Sequence, residues 1–305
     1  MEATRTDRVT VDDQGHEVHC EVYGAAADTL LVLHGGPGVS CQYLERLTEL
    51  AGDGLQVAMY DQLGGGRSDQ PDDPSLWTIP RFAREVETVR EELGLGSVHL
   101  YGQSWGGFLA LEYALAYPAN VRTLLLSNTA ASGAQVVHEM TGLRMAFGPE
   151  FLSMMLRHEV VGDYTSPEYE EAVLRLYAHH LRRSTPFDPE RSVAEFQEVV
   201  LPLLTDIGPA YYGMWGPNEF VCTGAELGFE VRDRLGEIRV PTLILCGYYD
   251  EVTMTCHRTL ADGIPDNEFV IFGNSSHCTI LEKESDVYLD VIRSFLGRRG
   301  AGASA

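Results

Sequence analysis

A serine flanked by glycines is the residue of this chain with the clearest chemical potential. Ser104 lies in Gly102-Gln103-Ser104-Trp105-Gly106-Gly107, after the apolar run 97–101 and before a helix-like segment at 108–114. A serine on a sharp strand-to-helix turn, with glycine two residues to either side, is typical of a nucleophile elbow. Such a turn holds the hydroxyl out of the sheet, so the pattern predicts covalent attack by Ser104 on a carbonyl carbon.

A serine hydroxyl needs a base, and the base needs a carboxylate that orients it. Asp250 and His277 follow Ser104 in the chain, each in a loop directly after an apolar strand-like run. The carboxyl ends of parallel strands meet at one edge of a sheet, so we expect the three side chains to converge there. His257 is the competing histidine, but it lies within a predicted helix and ranks below His277.

Attack on a carbonyl creates an oxyanion, which must be stabilised by preorganised hydrogen-bond donors. The backbone N–H of Trp105, directly after the nucleophile, is predicted to be one donor. The other is predicted in the loop His34-Gly35-Gly36-Pro37-Gly38, which follows the apolar run 30–33. Its glycines allow the backbone to approach a ligand closely.

The segments that must position these residues alternate between strand and helix patterns, which predicts an α/β fold with a mostly parallel sheet and helices on both faces. Residues 9–11 and 17–23 are typical of an antiparallel hairpin. Thr78 and Pro80 predict the start of a helix. Further strand-like runs lie at 29–33, 55–60, 97–101, 121–126, 241–246 and 268–272.

A helical insertion interrupts this alternation. Strand patterns disappear between 130 and 236, so we predict a core formed by residues 1–129 and 237–305 and a helical cap formed by 130–236. Ser166-Pro167 predicts one cap helix, and Ser192 with Glu195 has the spacing of a capping box that starts another. The cap is expected over the carboxyl edge of the sheet, where open α/β sheets bind ligands.

Composition excludes some partner classes. The 305 residues contain 22 Lys and Arg against 45 Asp and Glu, a net charge of −23. Such a surface repels nucleic-acid phosphates and anionic lipid, so we expect neither nucleic acid nor membrane as a partner. No signal-peptide pattern or membrane-length apolar run is visible.

The cysteines and the absence of metal-ligand spacing predict the compartment and the chemistry. Six cysteines without a Cys-x-x-Cys pair indicate reduced thiols of a cytoplasmic protein. No pattern of metal ligands is present, and neither a metal nor a cofactor is expected. The oligomeric state is left open.

Several motifs together resemble those of proline iminopeptidases, which have the α/β-hydrolase fold, and most closely the tricorn-interacting aminopeptidase type that includes amino-acid amidases. The likeness extends from the first glycine-rich loop to the last helix. The motifs are His34-Gly35-Gly36-Pro37-Gly38, Asp61-Gln62-Leu63-Gly64-Gly65-Gly66-Arg67-Ser68, Gly102–Gly107, Gly216-Pro217-Asn218-Glu219-Phe220 and Tyr249-Asp250-Glu251-Val252-Thr253.

The resemblance implies specific roles for these residues. Ser104, Asp250 and His277 would form the triad, and Gly36 and Trp105 would supply the oxyanion donors. Glu219 and Glu251 would hold the free α-amino group of the substrate, with Gly35 and Trp215 in the same substrate site. An ammonium that leaves water needs anionic partners, which agrees with two glutamates. The substrate would be a small molecule or short peptide with a free amino group.

Three positions depart from the family pattern. Gly65 stands where the family often has cysteine, Trp215 where asparagine is common, and Met254 where proline often follows. Trp215 adjoins the expected amine anchor, so the likeness implies an aminopeptidase or amidase without fixing proline as the preferred residue.

Two other functions remain open at this stage. One is an esterase, lactonase or tailoring hydrolase with the same triad, and the other is a non-catalytic binding protein on this fold. Hydrolases that attack with an elbow carboxylate are excluded by Ser104.

Overall fold

One eight-stranded sheet forms the centre of the molecule, in a computed structural model that describes residues 1–52, 54–204 and 207–300. The spatial order is β1-β2-β4-β3-β5-β6-β7-β8; β2 is antiparallel to β1 and β4, and the remaining pairs are parallel. The predicted mostly parallel α/β fold is therefore confirmed. The strands are β1 Arg5–Thr10, β2 Glu17–Tyr23, β3 Asp28–Leu33, β4 Leu55–Asp61, β5 Val98–Gln103, β6 Val121–Ser127, β7 Thr242–Gly247 and β8 Asn267–Phe272.

Helices cover both faces of the sheet. Strand β3 shows why, because Leu30 and Val32 face one apolar cluster while Leu31 and Leu33 face the other. A strand buried on both sides must be apolar along its whole length. The α-helices are α1 Ile79–Glu92, α2 Trp105–Ala116, α3 Gly133–Met145, α4 Pro149–Val161, α5 Pro167–His180, α6 Pro189–Glu195, α7 Leu201–Leu204, α8 Pro209–Met214, α9 Met254–Gly263 and α10 Ser285–Gly300.

Six of these helices, α3 to α8, lie in the chain between β6 and β7. Helix α5 begins at Pro167 as the sequence indicates, with Ser166 as its N-cap residue. The predicted capping box at Ser192 is wrong. The N-cap of helix α6 is four residues earlier, at Asp188, whose side chain accepts a hydrogen bond from the Arg191 N–H, and Pro189 fills the first turn.

The structure also bears on the expectations for Thr78, for the cysteines and for membrane spans. Thr78 occupies the N-cap position of α1 but makes no capping hydrogen bond through its side chain. All six cysteines are free and buried. Among the helices of the described residues, none is long and apolar enough to cross a membrane.

Candidate active site

Ser104 lies on a strained turn between β5 and α2, with φ 55° and ψ −123°. Positive φ is unusual for a residue with a side chain and is typical of a functional turn. The turn is also tight, because a Cβ atom on Gly106 would overlap the Leu33 carbonyl oxygen, and one on Gly102 would overlap the Gly106 carbonyl. The flanking glycines are therefore required for the close approach of α2 to β3 and β5.

His277 and Asp250 form a buried hydrogen-bonded pair at the same edge of the sheet. His277 Nδ1 and Asp250 Oδ1 are 2.7 Å apart, and both side chains are almost completely buried. Asp250 Oδ1 also accepts the Val252 N–H at 2.9 Å, and Oδ2 accepts Asn128 Nδ2–H at 2.7 Å. Since Nδ1 is directed at the carboxylate, Nε2 is the ring nitrogen left for proton transfer.

A second carboxylate, that of Glu251, lies close to the His277 ring of this pair. His277 Nε2 lies 3.7 Å from Glu251 Oε1. Burial alone would lower the pKa of His277, but the charges of Asp250 and Glu251 outweigh it and raise that pKa to about 9. His277 is therefore a strong base in the empty site.

The glycine-rich loop after β3 is held in place by Gln62. Its backbone N–H donates to His34 Nε2 at 2.9 Å, and its side-chain amide donates to the His34 carbonyl at 3.0 Å. The Gln62 amide oxygen accepts the indole N–H of Trp105 at 2.6 Å. Gln62 therefore ties the loop that contains Gly36 to the first residue of α2. As the first residue of the helix, Trp105 has a backbone N–H without an intrahelical acceptor.

Asp61 supports the same loop from below. Its carboxylate accepts hydrogen bonds from the backbone N–H groups of Cys41 and Arg67, the Ser40 hydroxyl and the Arg67 guanidinium, at 2.7 to 2.9 Å. Burial would raise the pKa of Asp61, but these bonds lower it to about 2. Asp61 therefore stabilises these loops. No residue of the Asp61–Ser68 motif lines either of the two cavities beside Ser104 that are described below.

Gly65, one of the departures from the family pattern, has a clear structural reason. A Cβ atom at this position would overlap the backbone of Gly38. The two loops contact each other through main-chain atoms here, so no cysteine would fit without a shift of the backbone.

A turn after α8 positions Glu219. Trp215 is buried and donates its indole N–H to the carbonyl oxygens of Asn218 and Glu219, at 3.0 and 3.2 Å. The Glu219 N–H donates to the Tyr177 hydroxyl at 3.1 Å, and the Tyr211 hydroxyl donates to Glu219 Oε1 at 2.6 Å. Trp215 therefore both shapes the cavity and fixes the backbone that carries Glu219.

Three glutamates share this side of the site. Glu251 is 1% and Glu226 2% exposed, and burial raises the pKa of Glu219, Glu226 and Glu251. Glu251 Oε2 and Glu226 Oε1 are buried, and within the described part of the chain neither has a hydrogen-bond partner. Glu226 was missed by the sequence analysis. Its only signal is a lone acid between Ala225 and Leu227, seven residues after Glu219.

Two adjoining cavities meet at Ser104 and also share Gly36 and Glu219. We call the first the acidic cavity and the second the apolar cavity. The acidic cavity is further lined by Pro37, Trp105, Phe108, Val136, Met140, Tyr211, Trp215, Glu226, Glu251 and Val252. The apolar cavity is further lined by Gly35, Val39, Tyr43, Gln103, Leu181, Val200, His277, Cys278 and Leu281.

Comparison with known proteins identifies the family. A family model described as the alpha/beta hydrolase fold matches residues 28–160. A proline iminopeptidase of Saccharolobus solfataricus is 39% identical over 270 residues, which cover 88% of this chain and 84% of the relative. The chain belongs to the proline iminopeptidase family of α/β-hydrolases. A Lactobacillus delbrueckii proline iminopeptidase is 36% identical, with 92% and 94% of the two chains covered.

Solved structures agree with this family assignment. The crystal structure of VinJ superimposes with a TM-score of 0.84 at 31% identity, covering 97% of this chain and 99% of VinJ. The proline iminopeptidase of Mycobacterium smegmatis gives 0.82 at 32% identity, with 98% and 100% covered. This member of the proline iminopeptidase family is thus a serine hydrolase.

The fold brings the predicted site residues together. Ser104 borders both cavities, with His277 in the apolar cavity and Glu219 in both. Gly35 lies against the nucleophile, since a Cβ atom on it would come within 2.8 Å of the Ser104 Cβ. His257 was ranked below His277, and the structure places it on α9, with Nε2 3.7 Å from Asp250 Oδ2.

Proposed function

We propose that this enzyme removes the N-terminal aminoacyl group from small amide substrates that have a free α-amino group. Ser104 Oγ attacks the carbonyl carbon while its proton passes to His277 Nε2. The tetrahedral intermediate collapses, the leaving amine takes that proton, and an acyl-enzyme remains. His277 then deprotonates a water molecule, which attacks the acyl-enzyme. The second tetrahedral intermediate collapses, His277 returns the proton to Ser104 Oγ, and the amino acid is released. Asp250 orients His277 throughout.

The backbone N–H groups of Gly36 and Trp105 are proposed to bind the oxyanion. Both residues line the acidic cavity beside Ser104. Gln62 connects the loop of Gly36 with α2, so the two donors keep their spacing before the substrate arrives. Preorganised donors of this kind are worth about 3 kcal/mol each in serine hydrolases.

The three glutamates of the acidic cavity are the observation that carries the proposal; Glu226 and Glu251 are buried and Glu219 is half-buried. Within the described residues, Glu226 Oε1 and Glu251 Oε2 have no hydrogen-bond partner, and buried carboxyl oxygens left in this way are costly, so the site is suited to a cation supplied by the ligand. An α-ammonium placed among Glu219, Glu226 and Glu251 would be close to Ser104, because all four side chains line the acidic cavity. An ammonium in the same cavity as Ser104 is what a substrate with its amino group one carbon from the attacked carbonyl requires.

The apolar cavity is proposed to receive the leaving group. Among its described lining residues there is neither lysine nor arginine, and Val39, Leu181, Val200 and Leu281 contribute aliphatic side chains. A leaving group with a carboxylate would therefore find neither lysine nor arginine there and would face Glu219. We expect uncharged, apolar amines to be better leaving groups than amino acids with a free carboxylate.

Residues 130–236 are proposed to act as the cap over this site. They supply Tyr177, Tyr211, Trp215, Glu219 and Glu226, whereas residues 1–129 and 237–305 supply the nucleophile, base and acid. The six free, buried cysteines support the further prediction of a cytoplasmic enzyme, since thiols persist in reducing compartments. Neither nucleic acid nor membrane is proposed as a partner.

The test is a panel of aryl substrates in matched pairs. Aminoacyl-arylamides with prolyl, alanyl and bulky aromatic acyl groups are compared with aryl esters that lack the amine. We expect Glu219→Gln to lower kcat/KM for the amides about 100-fold, since a charged hydrogen bond is worth up to ~3 kcal/mol. The esters should change less than about threefold.

Controls separate this function from the alternatives. Ser104→Ala should abolish both activities and labelling by a serine-reactive phosphonate. Equal losses on amides and esters in Glu219→Gln would exclude the amine anchor and favour an esterase or lactonase. Failure of the phosphonate to label the wild-type protein would favour a non-catalytic binding protein.

A further inference from the structure

Asn128 has the same unusual backbone conformation as the nucleophile. It directly follows β6, and its φ is 51°. Among the described residues, Ser104 and Asn128 are the two non-glycine residues with positive φ. Asn128 is 1% exposed, and its backbone N–H donates to the Leu245 carbonyl at 2.8 Å. A strained, buried polar residue persists where its surroundings over-determine it, so its contacts are informative.

The side chain of Asn128 contacts the acid of the triad. Its amide nitrogen donates to Asp250 Oδ2 at 2.7 Å and faces the Ser276 carbonyl at 3.3 Å. Its amide oxygen accepts the Ser127 hydroxyl at 2.7 Å. The amide orientation is fixed from both ends, because the nitrogen faces two acceptors and the oxygen faces a donor.

The donor on the far side belongs to a chain of hydroxyl groups. Tyr288 on α10 donates to Ser127 Oγ at 2.8 Å. The Tyr101 and Tyr288 hydroxyls are 2.7 Å apart, and since the Tyr288 proton is used on Ser127, Tyr101 must be the donor between them. Every proton in the chain from Tyr101 to Asp250 therefore points toward the carboxylate. Hydrogen bonds that point the same way strengthen one another.

Asp250 has two histidines within reach. His277 Nδ1 is 2.7 Å from Oδ1, whereas His257 Nε2 is 3.7 Å from Oδ2. His257 Nδ1 faces the Thr253 carbonyl at 3.0 Å, and in the described structure its Nε2 has no hydrogen-bond partner. If its Nε2 acquires a proton, His257 becomes a second donor to the carboxylate of Asp250. The Asn128 amide occupies Oδ2, the oxygen nearest His257.

We propose that Asn128 is a positioning residue that commits Asp250 to His277 and withholds it from His257. By holding Oδ2, the amide leaves Oδ1 free to accept the His277 Nδ1–H. The inference rests on the triad proposed above and is independent of the amine anchor. Other titratable groups also act on this pair: His180, Glu219, Glu251, Cys246, Cys256 and Cys278.

The experiment uses Asn128→Gly, because glycine adopts positive φ without strain while the amide is lost. The substrate is a neutral aryl ester, so the result does not depend on the amine anchor. We expect kcat to fall about tenfold with KM within twofold. If His257 shares the Asp250 carboxylate, the pKa of His277 falls. The acidic limb of the pH profile of kcat/KM should then move to lower pH by about half a unit or more.

Companion variants identify the cause. His257→Phe in the Asn128→Gly background removes the competing histidine, so the acidic limb should return toward the wild-type position. Tyr288→Phe keeps the Asn128 amide but removes the hydroxyl that donates to Ser127. It should shift the acidic limb to lower pH, as Asn128→Gly does, but by a smaller amount. Asn120→Gly is the matched control, because Asn120 donates to the carboxylate of Glu87, outside the site.

Clear outcomes would overturn the proposal. An unmoved acidic limb in Asn128→Gly, with a loss no larger than in Asn120→Gly, would reduce Asn128 to a structural role. If the acidic limb stays shifted when His257→Phe is added to Asn128→Gly, competition between the two histidines is excluded as the cause. If Asn128→Gly does not fold, an unmoved acidic limb in Tyr288→Phe would likewise reduce Asn128 to a structural role. If the wild-type enzyme cleaves no ester and resists the phosphonate, the proposed hydrolase function has failed instead.

Discussion

At the scale of single residues, three carboxyl groups lie beside Ser104 in a cavity whose described lining contains neither lysine nor arginine. Glu226 and Glu251 are buried and Glu219 is half-buried in the cavity beside Ser104, and the charges of Glu251 and Glu219 act on His277. The unpaired oxygens of Glu226 and Glu251 are costly to bury, and the proposed binding of an ammonium would remove that cost. If Glu251 binds the substrate, recognition and the basicity of His277 are linked, because the charge of Glu251 also acts on His277.

Glu251→Gln tests this link on a neutral aryl ester, which needs no amine anchor. The pKa of His277 is raised to about 9 partly by the charge of Glu251, and only the deprotonated imidazole accepts the Ser104 proton. Removal of that charge lowers the pKa of His277. We expect the acidic limb of the kcat/KM profile to move to lower pH by about one unit, a shift of ~1.4 kcal/mol.

Glu226→Gln is the matched control for this measurement, since Glu226 is not among the groups that set the pKa of His277. It should leave the acidic limb for the ester in place. An unmoved limb in Glu251→Gln as well would mean that Glu251 is protonated in the empty enzyme.

At the scale of elements, loops rather than helices or strands set the geometry around Ser104. The loop after β3 contacts the loop after β4 through backbone atoms at Gly38 and Gly65, and Gln62 joins both loops to α2. A side chain inserted at the contact of the two loops has no space to occupy. We expect the proposed oxyanion donors, at Gly36 and Trp105, to depend on this contact for their spacing.

Gly65→Ala is expected to separate the two loops. The added methyl group would overlap the Gly38 backbone, and overpacking of this kind costs about 1 to 3 kcal/mol. We expect a lower midpoint of thermal unfolding and a fall in kcat that exceeds any rise in KM. Gly96→Ala is the control, because a Cβ at Gly96 meets no atom within 4 Å. A full wild-type kcat in a destabilised Gly65→Ala would show that the loop contact does not set the oxyanion donors.

The end of α5 and the chain that follows it contact both loops of the triad. His277 N–H donates to the His180 carbonyl at 3.0 Å, and His180 Nδ1 is 2.9 Å from the Tyr249 carbonyl. The Arg183 N–H donates to Glu282, whose carboxylate also accepts from Ser276 at 2.7 Å. The segment between β6 and β7 therefore helps to hold the base as well as to line the cavities.

At the scale of the whole molecule, the net charge of −23 gives the protein a field that attracts cations. A substrate with an ammonium group is drawn toward the acidic cavity, and a neutral ester is not. We expect kcat/KM for an aminoacyl-arylamide to fall several-fold between about 0.02 and 0.5 M salt, because the screening length shortens from about 20 to 4 Å. The neutral aryl ester measured in parallel should change little, and equal salt dependence for both would exclude electrostatic attraction of the amine.

The sequence by itself determined the fold class, the family and the chain order of Ser104, Asp250 and His277. These follow from local patterns, since an elbow between glycines and a buried strand are encoded by neighbouring residues. Local patterns gave a wrong helix start at Ser192, because Asp188 and Pro189 begin the helix before the capping-box spacing of Ser192 and Glu195.

Only the tertiary structure decided which charges and donors act on one another. Glu226 joins Glu219 and Glu251 because a turn, a short helix and a strand-end loop meet at one cavity. Asn128 reaches Asp250 across 122 positions of sequence, and His257 comes within 3.7 Å of the same carboxylate. Electrostatic and hydrogen-bond energies depend on distance and burial, and neither quantity is a property of a residue's neighbours in the chain.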